Sequence, residues 1–302
     1  MKSKPVFKIG HLPITDHLVL GMTKAKVAKE VEKLEHCSFE TVSMSGWNDL
    51  GDALASGEID IAFMLAPFAM ELYHSDVKIK LVMLAHRSGS IIVANKRANI
   101  AKLEDFKGKT VLIPYHLSVH HMLFDKLLRE AGMSVGPGND VVFEVVAPAQ
   151  IPQYIEWDET GDIGGYIVAE PFGSVVIAKG LGTQFKLSQE IWPDHPCCVV
   201  VAKEEICQKY PEAIQELVAS WVKSGQLIHE KPESAVKVGA AFLGQSEDVL
   251  ARVLMSGDKV TFKALTPDLN ELDTMQTYLT TKISALSGKI DLEKFYDPRF
   301  IH

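Results

Sequence analysis

Three histidines stand close together where a helix is predicted to begin, and an imidazole can bind a metal ion, hold a proton or donate to a ligand. They are His116, His120 and His121, beside the predicted capping residue Ser118. Metal binding is one hypothesis, but no glutamate or further histidine stands at a motif spacing such as HExxH. We therefore expect no metal at these residues and predict that one imidazole donates a hydrogen bond to a bound ligand.

Hydroxyl, carboxylate and indole side chains follow other predicted strands. The helix starts at Thr15 and Ser118 present unpaired amides that suit an anion or polar ligand atom, with helix capping alone as the alternative. Trp47 is placed either to stack on a planar ligand or to pack in the core. In open parallel sheets, ligands lie beyond the carboxyl ends of the strands, where these residues are predicted. The predicted ligand-binding residues are Leu12, Thr15, Asp16, Trp47, Ala66, Arg87, Ser118, His120, His121, Glu170 and His195.

Two charged residues stand at special positions. Arg87 follows a predicted strand near a predicted hinge, where it would pair with a carboxylate or sulfonate or else lie at the surface. Glu170 takes the place that Ala66 has in an internal repeat, so its carboxylate would face the ligand or interact with a helix dipole. We predict that replacing Glu170 or His121 with alanine weakens ligand binding and leaves thermal stability nearly unchanged.

The four cysteines are Cys37, Cys197, Cys198 and Cys207. They lack the CxxC spacing of a zinc site and are too few for a disulfide framework. Cys197 and Cys198 begin an apolar run that is typical of a buried strand, so structural thiols are favoured over chemistry. The GxxxxGK[ST], GxGxxG and GxSxG motifs are also missing at the appropriate positions, so phosphate transfer, dinucleotide binding and serine hydrolysis have no signature.

The chain repeats one pattern after about one hundred residues. The segment FETV at residues 39–42 returns as FEVV at residues 143–146, and the corner Ala66-Pro67-Phe68 returns as Glu170-Pro171-Phe172. A period this long indicates duplication of a domain-sized unit rather than a solenoid, with chance recurrence of common residues as the alternative. We predict an α/β fold of two similar β/α lobes with a ligand cleft between them.

Strand and helix signals alternate from residue 6 onward, which is the pattern of parallel sheets covered by helices. The loop composition of residues 86–90 and the breaker-rich residues 191–196 mark two crossings between the lobes. The first lobe is predicted to comprise residues 1–88 and 195–302, with a last helix at 269–286, and the second lobe residues 89–194. Two crossings form a hinge, because few residues need to change their backbone angles for the lobes to close.

Size and charge exclude several classes of protein. The 302 residues exceed the usual size of one hydrophobic core, and the net charge of −8 argues against a nucleic-acid partner. The sequence has no run of about 18 apolar residues that would span a membrane, and its first residues do not read as an export signal. We expect an extracytoplasmic protein, periplasmic or lipid-anchored at the cell surface, if a signal was removed, and a cytoplasmic one otherwise.

These features resemble the periplasmic binding protein type II fold, and within it the nitrate/sulfonate/taurine/bicarbonate class of ABC-transporter substrate-binding proteins. The similarity covers essentially the whole chain. It is carried by residues 10–16, residues 54–60 with Ala66-Pro67, residues 108–111, Ile113-Pro114 with the histidine-rich helix start, Glu170-Pro171-Phe172 and residues 290–300.

The resemblance implies a solute-binding component of an ABC importer, which holds a small polar or anionic organic molecule between its lobes and delivers it unchanged to a membrane permease. The family's ligand contacts would fall on Thr15, Asp16, Trp47, Ala66, His120 or His121, and Glu170. Of the two histidines, His121 aligns best with the anion-binding histidine of nitrate-type members. We expect a monomer without a cofactor.

A second branch of the same fold is similar too, namely the pyrimidine-precursor proteins of thiamin biosynthesis. Some of these are cytoplasmic synthases with a cysteine cluster at the strand where this chain has Cys197 and Cys198. An enzyme of this kind, or of the menaquinone-pathway kind, is therefore the alternative. Only two cysteines followed by valines stand here, which favours binding over catalysis.

Overall fold

The computed structural model describes residues 4–257 and 259–301, so residues 1–3, 258 and 302 of the predicted first lobe lie outside the described residues. The strands are β1 (Val6–His11), β2 (Ser38–Ser43), β3 (Ile61–Leu65), β4 (Ile79–Leu84), β5 (Arg87–Ser88), β6 (Ser90–Asn95), β7 (Lys109–Ile113), β8 (Val141–Val145), β9 (Ile163–Ala169), β10 (Gly182–Leu187), β11 (Cys198–Lys203) and β12 (Val260–Thr261). The α-helices are α1 (Leu18–Ala28), α2 (Trp47–Ser56), α3 (Ala66–His74), α4 (Val119–Glu130), α5 (Ile151–Trp157), α6 (Phe172–Ala178), α7 (Glu204–Lys209), α8 (Pro211–Glu230), α9 (Pro232–Leu243), α10 (Glu247–Leu254), α11 (Leu269–Thr281) and α12 (Leu292–Phe295).

Five strands form the first sheet, in the order β2-β1-β3-β11-β4. β1 is parallel to β2 and β3, whereas β11 is antiparallel to both of its neighbours, β3 and β4. The carboxyl ends of β1 to β4 therefore lie at the same edge of the sheet as the start of β11. β3 is buried along its whole length, as expected for an inner strand covered on both faces.

The second sheet has the same design, read in the order β8-β7-β9-β6-β10. β7 is parallel to β8 and β9, and β6 is antiparallel to β9 and β10. Each sheet thus has its antiparallel strand in fourth place. The equivalent positions of β3 and β9 explain the sequence repeat, and the predicted fold of two similar β/α lobes is confirmed.

The chain returns to the first sheet after completing the second, because β11 pairs with β3 and β4. Helices α8 and α9 then pack on α1, so the late helices cover the first sheet. The predicted helix at 269–286 ends earlier, at Thr281, because the amides of Ala285 and Leu286 turn back to the carbonyl of Leu279. The lobe boundaries at 88/89 and 194/195 stay a prediction.

Candidate functional site

The two sheets meet through direct hydrogen bonds at one buried corner. The amide and the hydroxyl of Thr15 both donate to the carbonyl oxygen of Glu170, at 2.9 and 2.8 Å. Thr15 follows β1 of the first sheet, and Glu170 follows β9 of the second. The lobes are therefore closed on each other at this point.

A second contact between the lobes lies nearer the surface. The hydroxyl of Tyr115, which follows β7, donates to Asn48 Oδ1 of α2 at 2.6 Å. Its ring also packs edge-on against Phe68 of α3, with the centroids 5.0 Å apart. The two lobes thus contact each other through hydrogen bonds at the buried corner and through a hydrogen bond and an aromatic contact nearer the surface.

The carboxylate of Glu170 forms hydrogen bonds and an ion pair with other residues of the protein. Its two oxygens accept hydrogen bonds from the amide and hydroxyl of Ser174, both at 2.8 Å, and one of them pairs with Lys259 Nζ at 2.9 Å. The glutamate side chain is fully buried, and that of Lys259 is 12% exposed. The predicted role of Glu170 as a ligand contact stays a prediction, but this network revises the expectation that its loss leaves stability nearly unchanged.

Four coordinating side chains meet at the edge of the first sheet. They are Asp16 after β1, His86 after β4, Cys197 before β11 and Cys198 at its start, and all four are buried. One ligand atom from each lies within 4.8 Å of the others. His86 Nε2 is 3.0 Å from Asp16 Oδ2, and Cys198 Sγ is 3.7 Å from the same oxygen.

Burial and mutual contact shift the pKa values of this cluster. Burial raises the pKa of Asp16. Burial by itself lowers the pKa of His86, but the neighbouring Asp16 carboxylate outweighs it and raises the pKa to about 10. Burial likewise raises the pKa of Cys198 well above its usual range, whereas hydrogen bonds from Cys198 and His86 outweigh burial at Cys197 and lower its pKa.

The predicted histidine His120 is fully buried on α4. Its Nε2 lies 2.8 Å from Ser90 Oγ at the start of β6, while its Nδ1 has no hydrogen-bond partner among the described residues. Burial, followed by the nearby His195 and His86, lowers the pKa of His120 to about 3, so its imidazole is neutral at physiological pH. A neutral imidazole with a free nitrogen can accept from or donate to a ligand.

Its neighbours Ser118 and His121 are used by the fold. Ser118 caps α4 by accepting from the amide of His121 at 3.1 Å, and it donates to the carbonyl of Tyr115 at 2.6 Å. His121 Nδ1 lies 2.9 Å from the carbonyl of His116. Capping, the alternative reading of Ser118, is what the structure shows, and its predicted role toward a ligand stays a prediction.

The predicted residues of the first lobe lie at the base of the interface. Trp47 is buried, with its ring edge-on to His17 at 6.1 Å, and its indole nitrogen has no partner in the described part of the chain. Leu12 donates its amide to His17 Nδ1 at 3.1 Å, and the amide of Ala66 donates to the carbonyl of Cys197 at 3.0 Å. His17, which sequence reasoning passed over, therefore holds the loop after β1 in place.

Arg87 and His195 lie at the two crossings. The Arg87 guanidinium pairs with Glu271 at 2.8 Å and donates to the carbonyls of Asp194 and Ala264 at 2.7 and 2.8 Å. The side chain is 10% exposed, so the surface reading of Arg87 is wrong. His195 is fully buried, its carbonyl accepts from the amide of Ser88, and burial lowers its pKa to about 4.

Sequence reasoning missed the meeting of the cysteines with Asp16 and His86. The apolar run that follows Cys197 and Cys198 predicts structural thiols in a buried strand, and the spacing of the cysteines matches no zinc motif. The available signal was their place directly after the second predicted crossing, opposite a histidine at the first. Only the sheet order shows that these two crossings run side by side.

In the described residues, no helix combines the length and the apolar character that a membrane span requires.

The fold is that of a two-lobed binding protein, and known structures agree. A ligand-binding component of an ABC-type import system from Staphylococcus aureus, solved with zinc bound, has 29% sequence identity and a TM-score of 0.85, with 98% of each chain covered. The periplasmic nitrate-binding protein NrtA from Synechocystis PCC 6803 has 16% identity and a TM-score of 0.83, covering 97% of this chain and 86% of its own.

The chain belongs to the NMT1-like family, whose model matches residues 2–243. It is also 28% identical over 231 residues to the nitrate import ATP-binding protein NrtC of Synechocystis sp.. That alignment covers 72% of this chain but only 34% of NrtC. The chain thus spans about a third of the length of this curated relative, so the similarity concerns one part of NrtC and does not extend to the activity of the whole protein.

Proposed function

We propose that the protein is the solute-binding component of an ABC importer and closes its two lobes over a small polar or anionic molecule without changing it chemically. The observation that carries this proposal is the closed interface of two similar sheets, in which Thr15 of one lobe contacts Glu170 of the other. Closure of this kind can select a ligand, since groups from both lobes bind it only when the lobes are together. Family membership and the similarity to a ligand-binding component of an ABC-type import system support the same interpretation.

The interface favours a ligand that forms hydrogen bonds over an apolar one. Buried polar atoms usually have partners, so a buried atom without one is a candidate ligand contact. Among the predicted site residues, Asp16 Oδ1, Trp47 Nε1, His120 Nδ1 and His195 Nε2 are such atoms within the described residues. Indole and neutral imidazole nitrogens can donate to nitrate, bicarbonate, sulfonate or carboxylate oxygens.

Ligand binding is tested by calorimetric titration and thermal unfolding with nitrate, nitrite, bicarbonate, taurine and an alkanesulfonate. Native mass spectrometry of freshly purified protein identifies any molecule retained from the cell. We expect one anion to bind at one per chain and to raise the melting temperature, since a ligand at 100 times its Kd adds about 2.7 kcal/mol. No binding and no retained molecule would overturn the proposal.

The site is tested by His120→Gln, which removes an imidazole nitrogen, Nδ1, that has no hydrogen-bond partner among the residues that the structure describes. We expect the affinity for the ligand to fall about 10- to 100-fold, the loss of one hydrogen bond to a charged group. The matched control is His36→Gln, because His36 is exposed and precedes the amino end of β2, at the edge of the sheet opposite the carboxyl ends of the strands. Equal affinities of the two variants would remove His120 from the site.

The enzyme alternative is tested by incubating the protein with each binding candidate and searching for product by mass spectrometry. Formation of product would replace transport by catalysis. The proposed partner is a membrane permease that accepts the solute and releases it on the other side of the membrane. The proposed location of the binding protein is extracytoplasmic. Loss of solute uptake on deleting the gene, restored by the wild type and not by His120→Gln, checks both.

The S. aureus protein was solved with zinc bound, so a divalent metal ion is among the ligands worth testing on this chain. Zinc is therefore included in the panel, in separate titrations from the anions.

A further inference from the structure

We infer that Asp16, His86, Cys197 and Cys198 form a binding site for a divalent transition-metal ion, with Zn²⁺ preferred. The inference rests on these four side chains and does not depend on which solute the protein carries. The four residues come from three separate segments of the chain, and all are fully buried.

The distances suit tetrahedral coordination. Zinc binds thiolate sulfur at about 2.3 Å and nitrogen or oxygen at about 2.0–2.2 Å, so two ligand atoms of one tetrahedral ion are about 3.3–3.8 Å apart. The separation from Asp16 Oδ2 is 3.0 Å to His86 Nε2 and 3.7 Å to Cys198 Sγ. Every pair in the set is within 4.8 Å. Side-chain movements of about one ångström would close the shell, and the metal would replace the hydrogen bond that His86 Nε2 accepts from the amide of Cys198 at 3.1 Å.

The donor types select the metal. Two thiolates, an imidazole and a carboxylate are ligands that zinc accepts, whereas magnesium, calcium and manganese prefer oxygen donors. Four protein ligands fill a tetrahedral shell, which is the arrangement of a structural zinc site and differs from a catalytic site with an open position.

Hydrogen-bond accounting describes the remaining polar atoms of Asp16 and His86. Asp16 Oδ1 and His86 Nδ1 are both buried and have no partner among residues 4–257 and 259–301. An ion bound through Asp16 Oδ2 and His86 Nε2 would not bond these two atoms, so they describe the polar surroundings of the site and not its ligand positions. A Cβ at Gly89 would lie 2.9 Å from that oxygen and 3.0 Å from that nitrogen, so glycine keeps the approach to both atoms clear.

The site links the two connections between the lobes. His86 precedes β6 on the way into the second sheet, and Cys197 precedes β11 on the way back. Asp16 follows Thr15, which bonds the opposite lobe. A metal ion held by these residues would fix both crossings to one point and restrain the hinge.

The test uses full-length protein that has been stripped with a chelator and then titrated with Co²⁺. We expect one Co²⁺ per chain, with intense visible bands of tetrahedral cobalt and a thiolate-to-cobalt charge-transfer band, displaced by Zn²⁺. Cys197→Ser and Cys198→Ser should each lower the affinity at least about 100-fold, because loss of a ligand exceeds the 10- to 100-fold effect of an outer-shell change. The matched controls, Cys37→Ser and Cys207→Ser, replace buried cysteines outside the cluster and should keep wild-type affinity.

Tight metal binding that survives in both variants, or weak six-coordinate cobalt spectra, would overturn the site. If the variants fail to fold, X-ray absorption of zinc-loaded wild type decides the question, with two sulfur neighbours expected and a shell without sulfur contradicting the inference. Anion binding is measured on metal-free protein in parallel. Failure of the metal site and failure of the proposed transport function are thereby seen separately.

Discussion

Two buried carboxylates lie on opposite sides of the lobe interface and differ in how their oxygens are satisfied. Glu170 in the second lobe has both oxygens bonded, to Ser174 and to Lys259. Asp16 in the first lobe contacts His86 and Cys198 through one oxygen, while the other has no partner within the described residues. Complete hydrogen bonding of Glu170 indicates a structural role, whereas Asp16, which has one unpartnered oxygen and is grouped with a thiol and an imidazole, is available for binding.

The largest expected effect comes from Glu170→Ala, which tests the structural half of this comparison. It leaves the Lys259 ammonium largely buried without a counter-ion, so we expect the free energy of unfolding to fall by about 3–5 kcal/mol. Chemical denaturation measures it. The control is Glu156→Ala, which breaks an exposed Glu–Lys pair of similar length, 2.8 Å to Lys179, and should change stability little. Equal stability of the two variants would contradict the structural role of Glu170 and favour ligand binding as its role.

Arg87 extends the comparison to a cation whose donors are bonded to other residues of the protein. Arg87→Ala removes the pair with Glu271 and leaves backbone carbonyls without their donor, so we expect a loss of about 2–3 kcal/mol in unfolding free energy. Arg87→Lys keeps the positive charge but loses the planar set of guanidinium donors, so its unfolding free energy should lie between those of the wild type and Arg87→Ala. A variant that unfolds like the wild type but no longer binds the solute would return Arg87 to the ligand site.

His11 is a buried titratable group whose effect on stability can be measured through its pH dependence. Its ring stacks on Phe242 at 4.6 Å, and burial is the main cause that lowers its pKa from 6.5 to about 4, with Lys24 adding to the effect. Between these values the unfolded chain binds the extra proton, so stability is full above pH 6.5 and declines as the pH falls toward 4. His11→Phe should reduce that slope by about 1.4 kcal/mol per pH unit. Equal slopes in denaturation series at pH 4 to 7 would contradict the assignment.

Tyr115→Phe gives the smallest expected effect and addresses the outer contact between the lobes. It removes the hydrogen bond to Asn48 but keeps the packing on Phe68, so we expect a loss of about 0.5–1 kcal/mol in stability. A faster release of bound solute should accompany it, because the closed state is weakened. Tyr154→Phe, at an exposed tyrosine, is the control. Identical release rates would show that this contact does not hold the lobes closed.

Much of the fold was predictable, and the site only in part. The repeat of the corner at Ala66 and Glu170 predicted two similar lobes, because strand and turn signals are local. Thr15 and Glu170 were both expected near the cleft from their places after strands. Their direct contact was not, since it depends on how the two sheets face each other.

The order of strands and helices, the duplication and the family resemblance were determined by the sequence itself, because periodicity, prolines and glycines act over a few neighbouring residues. Tertiary structure alone decided that Asp16 meets Cys198, which is 182 residues away, and that Lys259 neutralises Glu170 across 89 residues. Such meetings depend on strand order and on the return of β11 between β3 and β4, and local patterns carry no information about either.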